Sequence, residues 1–225
     1  MIQLNDSKPT QRRGQIKTEN EFDFLDPLGS REVLDLDILE TDAMPEIGLL
    51  SRKVEKRRQI QATKRERMAD VIDRLPEPGE TFHVISNGTF DHFSFVPRIS
   101  ELMGTVDAFY GSTWTMNREN ALGLLDLYDK GRLKTVALLT GLYFKRRETA
   151  VYATVLEGLQ ERGQRYIAFK NHAKVSLFAG LEADTYITVE GSANYTANPR
   201  LENYTVTNDK PLFEMHQAWM EGMLP

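Results

Sequence analysis

Residues 135–169 read TVALLTGLYFKRRETAVYATVLEGLQERGQRYIAF. Thr135 to Leu139 is an uncharged, apolar-rich run, the pattern of a strand covered on both faces. Thr140-Gly141 closes it. Glu148 to Arg162 predicts a helix, and Gly163 stops it. Tyr166 to Phe169 predicts the next strand. A strand, a crossover helix and a second strand make the unit from which sheets with flanking helices are built. The same rhythm extends toward the N-terminus. Phe82 to Ile85 predicts a strand ending at Asn87-Gly88. Phe93 to Met103 predicts a helix stopped by Gly104, with Pro97 early in it or bending it. Val106 to Tyr110 predicts a strand followed by Gly111-Ser112-Thr113. Arg118 to Asp129 predicts a helix with Gly131 as its C′ residue. Beyond residue 169 the rhythm changes. Ala173 to Phe178 and Tyr186 to Val189 form a hairpin pattern around residues 180–184. Asn203 to Thr207 is a further strand and Leu212 to Met223 a closing helix. The expected fold class is α/β, a mixed β-sheet flanked by helices.

The chain has 225 residues, of which 40% are hydrophobic and 27% charged, so a packed core is attainable and wholesale disorder is excluded. It has no cysteine, which removes disulfides, cysteine-ligated metals and thiol catalysis. No metal ligand set is recognisable and no cofactor is expected. No run reaches the roughly 18 apolar residues of a membrane span, and the first ten residues lack an apolar signal region. A cytoplasmic protein without membrane contact is the expectation.

Formal net charge is −5, which argues against a generally basic coat but leaves room for a local patch. Residues 1–50 carry a net charge of −6, residues 51–75 carry +5 and the remainder −4. Three regions are expected: an acidic, partly disordered tail over 1–50, a basic helix and linker over 51–78, and an α/β domain over 79–225. Ser51 is a candidate N-cap, and Pro76 with Pro78-Gly79 a stop, for one helix reaching Leu75. Met68, Val71, Ile72 and Leu75 give that helix an apolar stripe. Arg57, Arg58, Lys64 and Arg65 are its candidate phosphate contacts, by counterion release. A solvated surface helix is the plain alternative. Lys145, Arg146 and Arg147 precede a predicted helix and are further candidates for phosphate, again against a solvated charge run. Gly111-Ser112-Thr113-Trp114 follows a predicted strand. It would lie at the ligand-bearing edge of the sheet or form an ordinary turn.

The chemistry concentrates in Asn171-His172-Ala173-Lys174, Glu190-Gly191-Ser192-Ala193-Asn194 and Arg200-Leu201-Glu202-Asn203. His172 and Lys174 are two residues apart at the start of a predicted strand, so both side chains point to one face. An imidazole beside an ammonium suits phosphate chemistry. The imidazole attacks phosphorus or moves a proton, and the ammonium neutralises nonbridging oxygens. Ser192 and Asn194 add a hydroxyl and an amide donor, and Gly191 lets backbone approach closely. Glu202 is a candidate for orienting an imidazole.

His172, Lys174, Gly191, Ser192 and Asn194 together resemble the phospholipase D superfamily, which carries His-x-Lys, an Asp after four intervening residues, and a downstream Gly-Ser-x-Asn. Glu202 resembles the acidic residue many members place after that turn. The likeness is to a divergent, phage-type branch, and the motif Asp position falls on Ala179. The resemblance implies catalysis by His172, Lys174, Ser192, Asn194 and Glu202 without a metal. It also implies two His-Lys sites facing each other. His83 and His92 have no Lys two residues on, so a single copy implies a two-fold homodimer with a composite site. The expected function is a metal-independent phosphodiesterase acting on nucleic acid, with DNA favoured over RNA, through a phosphohistidine. Two other readings stay open. One is a catalytically silent nucleic-acid-binding module. The other is an assembly adaptor whose acidic tail recruits a partner.

Overall fold

The computed structural model describes residues 68–86, 88, 90–196 and 200–225 in full, and 56–62 as backbone. Eight strands form one mixed sheet. They are β1 (Lys56–Ala62), β2 (Glu80–Ser86), β3 (Ala108–Thr113), β4 (Val136–Gly141), β5 (Arg165–Phe169), β6 (Val175–Gly180), β7 (Thr185–Gly191) and β8 (Glu202–Asn208). Their order across the sheet is β1-β2-β8-β7-β6-β3-β4-β5. β1 and β2 are parallel, as are β3, β4 and β5, while β6, β7 and β8 pair antiparallel between these groups.

The helices are α1 (Met68–Val71), α2 (Phe95–Met103), α3 (Arg118–Asp129), α4 (Leu142–Arg147), α5 (Thr149–Glu161) and α6 (Lys210–Met223). α3 starts at Asn117, whose side chain accepts from the Asn120 N–H at 2.8 Å. α6 starts at Asp209, which accepts from the Leu212 N–H at 3.1 Å, with Pro211 in the first turn. Both are side-chain N-caps that satisfy a donor the helix itself leaves unpaired.

Alternation along the strands divides the core. Phe82, Val84, Phe109, Leu138, Phe178, Ile187, Val189, Tyr204 and Val206 pack with buried residues of α2, α3 and α5. Val175, Leu177 and Ala179 of β6 turn the other way and meet Phe213 and Met220 of α6. β4 is buried along its whole length, which explains its unbroken apolar run.

Two expectations change. The helix over 51–75 is replaced, within the described residues, by β1 and the single turn of α1. β1 pairs with β2 from Lys56↔Glu80 to Ala62↔Ser86, and a seven-residue ladder outweighs modest helix propensity. The apolar stripe still packs: Val71 and Ile72 are buried, and Met68 and Leu75 lie against the core. The acidic tail, Lys64 and Arg65 lie outside the described residues, and Arg57 and Arg58 sit on the edge strand β1. In the second change, the strand predicted to end at Tyr110 runs on to Thr113, so Gly111-Ser112-Thr113 forms no turn and lies at the carboxyl edge of the sheet, the other of its two expected places.

Candidate active site

The sheet's polarity gathers the site at one edge. β2, β3, β4, β5 and β7 end there, and β6 and β8 begin there, as their registers require. Ligands collect at this carboxyl edge of parallel strands because the chain must leave the sheet in loops there.

His172 and Lys174 lie in the loop between β5 and β6. Lys174 Nζ is 3.0 Å from His172 Nδ1 and donates to the His172 carbonyl at 2.7 Å. The loop is held by Asn171, which is buried. Its Nδ2 donates to Ser112 Oγ at 2.9 Å, and its Oδ1 accepts from the Ala173 N–H at 3.0 Å. Ser112 Oγ in turn donates to the Ala173 carbonyl at 3.2 Å. Asn171 thus fixes both residues that flank it in space, and His172 projects from that anchor into solvent. The indole of Trp114 stands against the imidazole, with ring centroids 5.4 Å apart.

Ser192 follows the end of β7 and Glu202 opens β8. Ser192 Oγ donates to Glu202 Oε2 and accepts from the Asn203 N–H at 3.1 Å. The Gly191 N–H donates to the Lys174 carbonyl at 3.2 Å, which ties this turn to the His-Lys loop. Gly191 is required by contact: a Cβ there would lie 2.5 Å from Tyr204 Cδ1 and 3.0 Å from the Asn203 carbonyl. Asn194 Oδ1 accepts from the Trp114 N–H at 3.3 Å, which leaves the amide's NH2 as its donor end.

The five expected residues therefore sit on adjoining strand ends, with one difference in role. Within the chain Glu202 holds Ser192, and among the described residues no hydrogen bond joins it to His172. Ala179 lies five residues beyond Lys174 along β6, paired with Ala108 and Tyr186 at the opposite end. At about 3.3 Å per residue that is about 16 Å from the ammonium. A carboxylate at position 179 would not reach the imidazole, so the alanine there takes nothing from the site's own groups.

The electrostatics favour a neutral imidazole. Partial burial lowers the His172 pKa, and the Lys174 charge lowers it further. Burial also lowers the Lys174 pKa, against an opposing pull from Glu202. Lys174 therefore lies between a base and a carboxylate and has a weaker hold on its proton than a surface lysine.

His92 lies close behind the site. It is fully buried among Tyr195, Tyr204 and Phe95, and neither ring nitrogen has a hydrogen-bond partner of normal geometry. Burial is the main cause that drives its pKa down to about 3; the backbone of Ala193 and Val189 opposes it and the Lys174 charge adds to it. An unfolded chain takes up this proton below about pH 6.5, whereas the native state excludes it until about pH 3. Stability is then lost as pH falls through that window. From pH 7 to pH 5 the cost is about 2 kcal/mol. Urea unfolding of wild type and His92→Phe at both pH values should show this difference, the variant losing less stability in acid.

Among the described residues no hydrogen bond joins the basic run 145–147 or His216 to the five site residues. Lys145, Arg146 and Arg147 are exposed in the last turn of α4 and precede α5, which begins at Thr149, as expected. His216 is largely buried. Its Nδ1 accepts from Trp219 Nε1 at 3.0 Å, and its Nε2 meets Glu190 Oε1 at 3.2 Å. Beside His172 and α6 lies an apolar groove of about 350 Å³, walled by Phe169, Val175, Met215 and Trp219. Among the described residues no group of three or more His, Asp or Glu is placed to hold a metal, and no helix is long and apolar enough to cross a membrane. Asn171 and Trp114 lie in stretches the sequence marks out, without a role assigned to either, and Tyr143 carries no local signal. Asn171 acts through Ser112, and Trp114 and Tyr143 reach His172 only through the fold.

No protein-family model matches the chain, and no curated protein matches it. Among solved structures the chain is similar to a polyphosphate kinase from Porphyromonas gingivalis, at 13% identity and a TM-score of 0.48. The similarity covers 63% of this chain and 26% of the kinase, so the chain spans about a quarter of that protein's length.

Proposed function

We propose that this protein is a metal-independent phosphodiesterase that acts on nucleic acid through His172. The observation that carries the reading is the ammonium of Lys174 set 3.0 Å from a near-neutral imidazole, at a sheet edge shared with Ser192 and Glu202. An entering phosphodiester competes for the ammonium. Lys174 then turns to a nonbridging oxygen and releases a lone pair of His172. Attack forms a nitrogen–phosphorus bond and breaks the bond from phosphorus to the leaving oxygen, which takes a proton from a second imidazole. In the second half, that imidazole removes a proton from water, water attacks phosphorus and His172 departs. Asn194 holds a phosphoryl oxygen through its NH2 group, and Ser192 holds another once its hydroxyl turns from Glu202 to the phosphate. Among the described residues no second His-Lys pair stands at this edge. His172 of a second copy of the chain is the proposed acid, in a two-fold homodimer.

The test uses end-labelled single- and double-stranded DNA and RNA in excess EDTA. Cleavage by the wild type supports the reading and identifies the polymer, with DNA the favoured substrate. Binding without cleavage replaces it with a silent nucleic-acid-binding module. If neither occurs, nucleic acid is rejected.

The reactive imidazole must be neutral, and its pKa is lowered by burial and by Lys174. The second copy's His172 must be protonated to act as the acid, so kcat/KM should be bell-shaped, with its acid limb below pH 6.5, the ordinary histidine value, and a fall on the alkaline side as that imidazole loses its proton. Lys174→Met removes one of the two causes, so its residual activity should lose its acid side at higher pH than the wild type. A pH–rate profile of both proteins checks the direction.

A further inference from the structure

The stack beside His172 has no part in the reaction steps above. Trp114 lies between two rings, with Tyr143 stacked on it at a centroid distance of 4.3 Å and an interplanar angle of 25°. His172 stands on it at 5.4 Å and 49°. The row thus runs from an exposed tyrosine to the reactive imidazole. Tyr143 is 42% exposed although Trp114 covers one of its faces.

The arrangement is built into the sheet edge. β4 ends at Gly141, whose N–H donates to the Trp114 carbonyl at 3.2 Å. A Cβ on Gly141 would lie 2.5 Å from Trp114 Cδ1, so this glycine permits the close approach of β4 to the indole. Tyr143 follows two residues later in α4 and lands on the indole. Arg146 and Arg147 are three and four residues further on, so they share the helix side that carries Tyr143. Both are exposed, and among the described residues neither forms an ion pair. Lys145, by contrast, lies 5.8 Å from the centre of the Tyr152 ring.

We propose that Tyr143, backed by Trp114, is a stacking platform for an unpaired nucleobase flanking the reacting phosphate. Arg146 and Arg147 hold the adjoining backbone. The proposal rests on the nucleic-acid reading and narrows it to single strands. A flat, uncharged π-face next to two cations fits a base followed by phosphates, since every base has a π-face and every linkage a charge. In a duplex both faces of an internal base are already stacked on its neighbours, so the platform has nothing to take up without unstacking.

The experiment measures binding by fluorescence anisotropy in a His172→Asn background, which prevents turnover. Probes are a labelled single-stranded DNA oligomer, its duplex, and a sugar–phosphate oligomer of equal length without bases. The single strand should bind about 10-fold more tightly than the baseless oligomer. Tyr143→Ala should remove most of that advantage and leave the baseless oligomer's affinity unchanged, while Tyr143→Phe should keep it. The duplex should bind more weakly than the single strand. Equal binding of the base-bearing and baseless oligomers, or indifference to Tyr143→Ala, overturns the platform. If the wild type also cleaves DNA, the nucleic-acid reading survives that result. Failure of every probe to bind, with no cleavage by the wild type, overturns both.

Discussion

In excess EDTA, His172→Asn should lose at least about 10³-fold of phosphodiester cleavage while keeping the wild-type melting temperature. The size follows from its role. Removing a nucleophile removes the covalent route itself, and what remains is only the help given by binding and charge stabilisation. Folding should be indifferent because His172 is exposed, its imidazole lies against Lys174 and Trp114, and neither contact is in the buried core. The loop conformation is set one residue earlier by Asn171, through Ser112 and the Ala173 N–H. Asparagine also offers Lys174 an acceptor in place of Nδ1. Binding of uncleaved substrate should therefore persist. A variant that still cleaves at a tenth of the wild-type rate would show that His172 is not the nucleophile. Loss of cleavage together with a lowered melting temperature would make the loop's structure, rather than its chemistry, the cause.

The residues that make this test possible were legible because their signal is chemical type at short spacing. His172 with Lys174, and Ser192 with Asn194, each lie within three positions, and the fold brings the two groups together across β6, β7 and β8. The sheet was legible where strands are buried on both faces, as β4 is. β1 was not, because its charged residues match a helix surface as well as an edge strand. What decides between them is a ladder to β2, more than twenty residues away. Tyr143, and its stack on Trp114, escaped for the same reason. Each ring is an ordinary aromatic in its own segment, and only the meeting of β3 and β4 at Gly141 makes them a stack. Glu202 was identified as a site residue for a different partner. The sequence separation of ten from Ser192 says nothing of direction, whereas the β7–β8 register puts Gly191 opposite Tyr204 and the serine beside the carboxylate.

That register also makes Gly191→Ala the substitution that should damage fold and site together. An alanine Cβ would lie 2.5 Å from Tyr204 Cδ1 and 3.0 Å from the Asn203 carbonyl, so something must move. Tyr204 is an unfavourable candidate. Its side chain is buried, packs on Phe95 with centroids 4.8 Å apart, and donates to the Phe90 carbonyl at 3.2 Å. The Asn203 carbonyl is held by the Ser192 N–H at 3.0 Å, so retreating from it breaks the strand pairing at the turn. Overpacking at such a place costs about 1–3 kcal/mol, which urea unfolding should read as a lower midpoint with an unchanged slope. The easier movement is outward displacement of residues 191–192. That carries the Ser192 hydroxyl away from Glu202 and loosens the bond from the Gly191 N–H to the Lys174 carbonyl. Misplacement of about 1 Å costs about 10²-fold in rate, so cleavage should fall by that order even where the protein remains folded. Gly163→Ala is the useful contrast. Its φ is +64° with nothing within 4 Å of the added Cβ, so the strain is local to the turn after α5. That variant should lose stability and retain full activity per folded molecule. Equal activity per folded molecule in both variants would mean that the close approach at Gly191 serves packing alone.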